Sequence, residues 1–287
     1  MFPGATTDRE AASYVVVGAP LDATTTFQPG ARFGPDRVRR FAETYDDYDR
    51  RTDSDFSALG VHDAGDVPAW DDVEAYLDHL AAELRSVTLD DAVPLLVGGE
   101  HTVTYGGVQA VDPDVLVVCD AHLDLRDAYD GNPWSHACVV RRCLDDLGVD
   151  RAVIVGARTG SEAEWDRAAD ADVEVVPPED AREWLDGVTG DDREAASDSF
   201  AGESVYCSVD VDGLDPGFAP GTGTMEPFGL APREARDLGV DRRLDVFACA
   251  WRLFRRCRDR LTVDDTPELG EKIRRDVWLP AQGPLGR

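Results

Sequence analysis

Val115-Leu116-Val117-Val118-Cys119-Asp120-Ala121-His122-Leu123-Asp124 is the stretch from which the rest of the chain can be read. A short, unbroken, β-branched run is what a strand buried on both faces looks like. The polar residues that follow stand at i, i+2 and i+4, and on an extended backbone alternate residues face one side. Such a strand end would aim the Asp120 and Asp124 carboxylates and the His122 imidazole at one point. Oxygen plus imidazole ligation suits a divalent cation such as Mn2+. Taken alone the D-x-H-x-D spacing is weakly specific, because a solvated loop can produce it.

Similar apolar runs recur at Tyr14–Val17, Val93–Val97, Ala152–Val155, Val173–Val176 and Val205–Ser208. Between them lie stretches with helical periodicity. Asp71–Arg85 places Val73, Tyr76, Leu77, Leu80 and Leu84 on one face, and Ala137–Leu147 is similar. Strands alternating with helices predict an α/β fold with a mostly parallel sheet and helices on both faces. Ligands of such sheets bind beyond the carboxyl ends of the strands. With 287 residues, 43% of them hydrophobic, the chain can bury a large core, and it shows no internal repeat or linker.

The formal net charge is −29, and Lys272 is the single lysine. Such acidity argues against nucleic acid or an anionic membrane as partner. Because it is spread along the chain, it reads as solvation at very high salt, a halophilic trait, and carries no information about a ligand. No N-terminal stretch reads as a signal peptide, and no apolar run approaches the roughly 18–20 residues of a membrane span. A cytoplasmic location is the expectation. The six cysteines form no C-x-x-C pair, and Cys119 and Cys207 sit inside apolar runs as small core residues, so no disulfide framework is expected.

Other strand ends add to the opening one. Val97 is followed by Gly98-Gly99-Glu100-His101, Val155 by Gly156-Ala157-Arg158, and Cys207 by Ser208-Val209-Asp210-Val211-Asp212-Gly213-Leu214-Asp215-Pro216. Ser135-His136 lies between strands. Of five histidines, His101, His122 and His136 fall in these segments, whereas His62 reads as a loop residue and His79 as part of a surface helix. His101, Asp120, His122, Asp124, Asp210 and Asp212 make two imidazoles and four carboxylates, too many for one small cation. Like charges so close repel unless metals neutralise them. Two divalent ions roughly 3.5 Å apart would do so and would supply a hydroxide nucleophile near neutral pH. His136 is then a candidate proton shuttle.

The segments Gly98–His101, Asp120–Asp127, Ser135–Arg142, Ser208–Pro216 and Pro220–Leu230 resemble the ureohydrolases, the family of arginases and agmatinases. Gly18–Asp22 and Phe27–Pro35 are similar to the agmatinase branch. The resemblance runs from about residue 14 to about residue 232. It implies a single domain over residues 1–287 with a three-layer α/β/α fold, two Mn2+ per subunit, and a trimer or hexamer. It further implies that His101, Asp120, Asp124 and Asp210 hold one ion, that Asp120, His122, Asp210 and Asp212 hold the other, and that Asp120 and Asp210 bridge. His136 matches the family's proton-shuttle histidine. Glu100, where the family usually has Asp, and Asp127 would support the ligands. His101 argues against the formimidoyl branch, where Asn is frequent. Arginases hold the amino-acid end of arginine with a Ser/Asn-rich loop, and here Asp130–Trp134 lacks the serines. That favours agmatine, hydrolysed to putrescine and urea in polyamine biosynthesis, with an aminopropyl-agmatine or a protein-bound adduct as alternatives.

The final stretch departs from the family pattern. Residues 233–287 hold thirteen basic and ten acidic residues, whereas residues 1–232 hold 16 and 48. Family members carry there a strand reading roughly Asp-Val-Val-Glu-Val-Asn-Pro, whose glutamate pairs with the substrate guanidinium. Leu244–Ala250 aligns best with it, and Ala248 stands at the glutamate position. A slipped reading frame near residues 233–245, true divergence, and replacement by another acid are the three accounts. Impaired turnover is expected, and a catalytically impaired metal-binding paralogue acting as a subunit is the competing reading.

Overall fold

The computed structural model describes residues 1–50, 53–189, 200 and 202–238. Ala248, the clustered tail arginines, Cys249 and Cys257 lie outside the described residues. In chain order the elements are β1 (Tyr14–Ala19), α1 (Gly34–Ala42), β2 (Tyr48–Asp49), β3 (Ser54–Asp55), β4 (Val61–Asp66), α2 (Val73–Leu89), β5 (Val93–Gly98), α3 (Val103–Val111), β6 (Val115–Cys119), α4 (Val139–Asp146), β7 (Arg151–Val155), α5 (Glu162–Arg167), β8 (Val173–Val176), α6 (Ala181–Thr189), β9 (Val205–Val209) and α7 (Pro232–Leu238). Strands β4-β1-β5 pair in one parallel set and β8-β7-β6-β9 in another, with β2 and β3 forming a separate antiparallel pair.

The two faces of the strands feed different layers, as the period of two requires. Leu116 and Val118 of β6 pack with α2, α3 and α4 through Leu77, Leu80, Val108, Val140 and Cys143. Val115, Val117 and Cys119 of the same strand pack instead with Ala181 and Leu185 of α6 and Ala235 and Leu238 of α7. On the side of β1 opposite α2, Val16 meets Ala42 of α1. Helices thus cover both faces, giving three α/β/α layers. Asp72 caps α2 by accepting from Ala75 N, and Cys119, Cys138, Cys143 and Cys207 are free and buried. Among the described residues no helix is long and apolar enough to cross a membrane.

Among the parallel strands, one was not legible. Val61-His62-Asp63-Ala64-Gly65-Asp66 lacks an apolar run, yet it forms β4 and pairs with β1. His62 therefore lies in a strand rather than a loop. Within its sheet β4 is an outer strand, where polar residues are tolerated. His62 Nδ1 lies 2.9 Å from Thr7 O. His79 is on α2, half-exposed, near Glu83 and the Trp70 ring.

Asp63 of β4 is nearly inaccessible and receives both arms of the buried Arg39 guanidinium, at 2.8 and 2.9 Å, together with Phe2 N at 2.6 Å. Burial alone would raise its pKa, but the hydrogen bonds from Arg39, Gly65 and Phe2 outweigh burial and hold it below the usual range. A depressed carboxylate stabilises the fold above its unfolded pKa, and that stabilisation is lost as pH falls through the folded value. Arg39→Ala should lower unfolding free energy by about 3–5 kcal/mol, because it strands a buried charge. Urea unfolding at neutral pH measures it, and the difference should shrink below about pH 4, where Asp63 protonates in the unfolded chain.

Candidate metal centre

Strand register brings the candidate residues together. β6 and β9 pair in parallel with Cys119 opposite Val209, so Asp120 and Asp210 follow at adjacent carboxyl ends. Asp210 N donates to Cys119 O at 2.8 Å and Asp120 N to Val155 O at 3.1 Å, which extends both ladders by one rung. Beyond Asp120 the extended alternation stops. His122 makes only an isolated bridge to Thr159, and Asp124 turns the chain with φ +51°. The three side chains therefore do not meet at one point: Asp124 groups with Asp120 and His101, and His122 with Asp120 and Asp212. Asp212 sits in a 3-10 turn, Val211–Gly213, capped by the Asp210 side chain, which accepts from Asp212 N.

His101 comes from the turn after β5. Gly99 is required there, because a Cβ at that position would overlap the Leu21 backbone. His101 Nδ1 lies 2.7 Å from Asp124 Oδ2, 2.9 Å from Asp120 Oδ2 and 4.0 Å from Asp210 Oδ2. His122 Nδ1 lies 3.2 Å from Asp212 Oδ2 and 3.4 Å from Asp120 Oδ1. Two groups could each hold a cation: His101, Asp120 and Asp124, and Asp120, His122 and Asp212. Asp120 is common to both, and Asp210 lies beside the first.

The charge balance fits cation binding. Burial, and then the neighbouring carboxylates Asp120 and Asp212, push Asp124, Asp210 and Asp212 above the usual carboxylate range. Burial acts to lower the two imidazoles, but the carboxylates outweigh it, holding His101 well above its ordinary value and His122 at about 11. Asp120 Oδ2 is buried and makes no hydrogen bond, even though His101 Nδ1 is near. A buried carboxylate oxygen without a donor is costly unless a cation satisfies it.

Neighbouring groups orient the candidate ligands. His101 Nε2 is 3.2 Å from Ser208 Oγ, which is 2.7 Å from Thr104 Oγ1. Asp212 accepts from Ala121 N and from Thr224 Oγ1, at 3.2 and 3.0 Å. Such partners fix the orientation of metal-binding side chains. The sequence offered no signal for Ser208, Thr104 or Thr224, since hydroxyl residues are common everywhere. Arg158 does not reach the cluster. It donates to the carbonyls of Gly156, Asp212, Gly213, Glu226 and Pro227, and so ties the segment after β9 to β7. Asp127 is exposed and faces Arg142, so it does not support the cluster as expected.

His136 opens the 3-10 turn His136–Cys138, which Ser135 caps. Its backbone N donates to Thr24 Oγ1 at 2.9 Å, and its Nε2 lies 3.0 Å from Thr26 Oγ1. Burial, with the positive charge of His101, lowers its pKa to about 4.

A family model described as the Arginase family matches residues 12–242, which include all seven candidate residues. The chain belongs to the arginase family. It is 38% identical over 230 residues to an agmatinase of Pyrococcus horikoshii, covering 78% of this chain and 77% of that protein. It is also 38% identical over 224 residues to an N(1)-aminopropylagmatine ureohydrolase of Thermococcus kodakarensis, covering 77% and 74%. The agmatine ureohydrolase structure of Thermoplasma volcanium superposes with a TM-score of 0.74 at 32% identity, covering 92% of this chain and 95% of that one. The fold is arginase-like, as the motifs implied.

In this arginase-family chain, protons held on His122 must leave before a cation can use the ring. Divalent-cation binding should therefore release protons and strengthen with pH, about tenfold per unit for each proton released. Calorimetry at pH 6 and pH 8, in buffers of different ionisation enthalpy, measures both. Binding with no proton release would contradict this charge balance.

Proposed function

We propose that the chain is a binuclear-manganese hydrolase of a guanidinium substrate, with agmatine cleaved to putrescine and urea. What carries the reading is the convergence of His101, Asp124, His122 and Asp212 on Asp120, whose buried Oδ2 makes no hydrogen bond. His101 and Asp124 would hold one ion, His122 and Asp212 the other, with Asp120 and Asp210 shared. Bound there, a pair of divalent ions would lower the pKa of a water molecule and offset the negative charge that develops as it attacks. His136 is neutral at working pH because burial keeps its pKa low. Once protonated, this ring would be a strong acid and would pass its proton to a departing amine.

The names of the relatives support agmatine as substrate, and the lack of serines in Asp130–Trp134 agrees with a substrate without an α-carboxylate. The Thermococcus relative supports an aminopropyl-agmatine as the second substrate reading. The reading extends to a single domain over residues 1–287, a cytoplasmic homo-oligomer, and function at high salt, the last supported by the net charge of −29. The impaired-subunit reading has its own support: the family match ends at residue 242, before Ala248.

Urea release from agmatine and from aminopropylagmatine, with Mn2+ in molar salt, tests the reading, and agmatine should give the higher kcat/KM. His136→Asn should lower kcat by about 10²–10⁴-fold while Mn2+ binding persists. If urea appears with neither substrate but Mn2+ still binds, the impaired-subunit reading stands instead. Ala248→Glu should raise turnover if residue 248 occupies the position of the family's glutamate, since positioning of the substrate is worth about 10²-fold. An unchanged rate would remove that alignment.

A further inference from the structure

Glu100 is buried beside His101, yet its carboxylate turns away from the cluster. Both of its oxygens face the loop that follows β1. Oε1 and Oε2 accept from Thr24 N at 3.1 and 2.9 Å, and Oε1 accepts from Thr24 Oγ1 at 2.9 Å. Thr25 Oγ1 lies 3.1 Å from Oε2 and 2.7 Å from Asp22 Oδ1. The same Thr24 hydroxyl that donates to Glu100 accepts from His136 N. Two residues on, Thr26 N and Oγ1 meet the His136 ring at Nε2, at 3.3 and 3.0 Å. One loop thus holds His136 at its backbone and at its ring, and one carboxylate holds the loop.

The base of this device is fixed. Gly99 N donates to Ala19 O and Glu100 N to Leu21 O, both at 2.9 Å. Those bonds anchor the Glu100 backbone to the start of the loop that its side chain spans. Asp22 secures the far end by accepting from Gly30 N at 2.8 Å.

We infer that Glu100 is a positioning residue for proton transfer: through Thr24 it sets the Thr24–Thr26 loop, and through that loop the place and tilt of the His136 imidazole. The inference rests on the proposed hydrolase reading, in which His136 moves the proton. Glutamine cannot replace the carboxylate, because its amide nitrogen would point a donor at Thr24 N. The shorter aspartate retains the charge and two acceptors but has less reach.

The test is a double-mutant cycle of Glu100→Gln with His136→Asn on the Mn2+-loaded protein. Glu100→Gln should lower kcat about 10–100-fold, with KM and calorimetric Mn2+ affinity within about twofold, because the loss is one of alignment. Glu100→Asp should recover part of the rate. In the His136→Asn background Glu100→Gln should have no further effect. A second readout needs no turnover: in the cation-free protein with 13Cε1-labelled histidine, Glu100→Gln should shift the His136 resonance and leave His62 and His79 in place. An equal loss in both backgrounds, a fall in Mn2+ affinity that accounts for the rate, or an unmoved His136 resonance would overturn the inference. If the wild type releases no urea, the hydrolase reading fails, and the resonance alone decides whether Glu100 seats His136.

Discussion

The parallel pairing of β6 with β9 sets the problem that the rest of the structure answers. Their register puts Asp120 and Asp210 at neighbouring strand ends, and the turns that follow add Asp124 and Asp212. Four carboxylates in one buried or half-buried pocket repel one another and lose hydration, so each rises in energy unless it is paired. The molecule supplies partners to most of the acceptor atoms. Asp212 receives Ala121 N and Thr224 Oγ1, Asp210 receives Asp212 N, and Asp120 Oδ1 receives His122 N. Asp120 Oδ2 is left without a donor. It lies where the two candidate cation groups meet.

The scaffold tolerates this pocket because its cost is offset elsewhere. Leu116 and Val118 face one helical layer and Val115 and Val117 the other, so the strands that present the carboxylates are buried on both sides. Gly99 allows the turn after β5 to press against Leu21. Arg158 gathers five carbonyls and holds the segment after Asp212 in place. These contacts hold the segments that carry the candidate ligands, as a selective binding centre requires.

Much of this could be read from the chain because it is local. A run such as Val115–Cys119 announces a doubly buried strand, and the polar residues just beyond it announce a site. β4 escaped because its residues are polar and it lies at the outside of its sheet. The geometry at Asp124 escaped because a left-handed turn leaves no trace in hydropathy. The threonines that seat His136 escaped for another reason. Thr24 and His136 are 112 residues apart, and a threonine gives no hint of what it will touch. Asp127 was legible as part of a motif but not in its direction, which the salt bridge to Arg142 decides.

Anomalous diffraction from crystals grown with Mn2+ tests the central claim, that the crowded carboxylates exist to be balanced by two cations. The expected result is two peaks in each chain. One should lie among His101, Asp124 and Asp120, and the other among His122, Asp212 and Asp120, with the Asp210 carboxylate between them. A single peak, or none among these six side chains at saturating Mn2+, would contradict it.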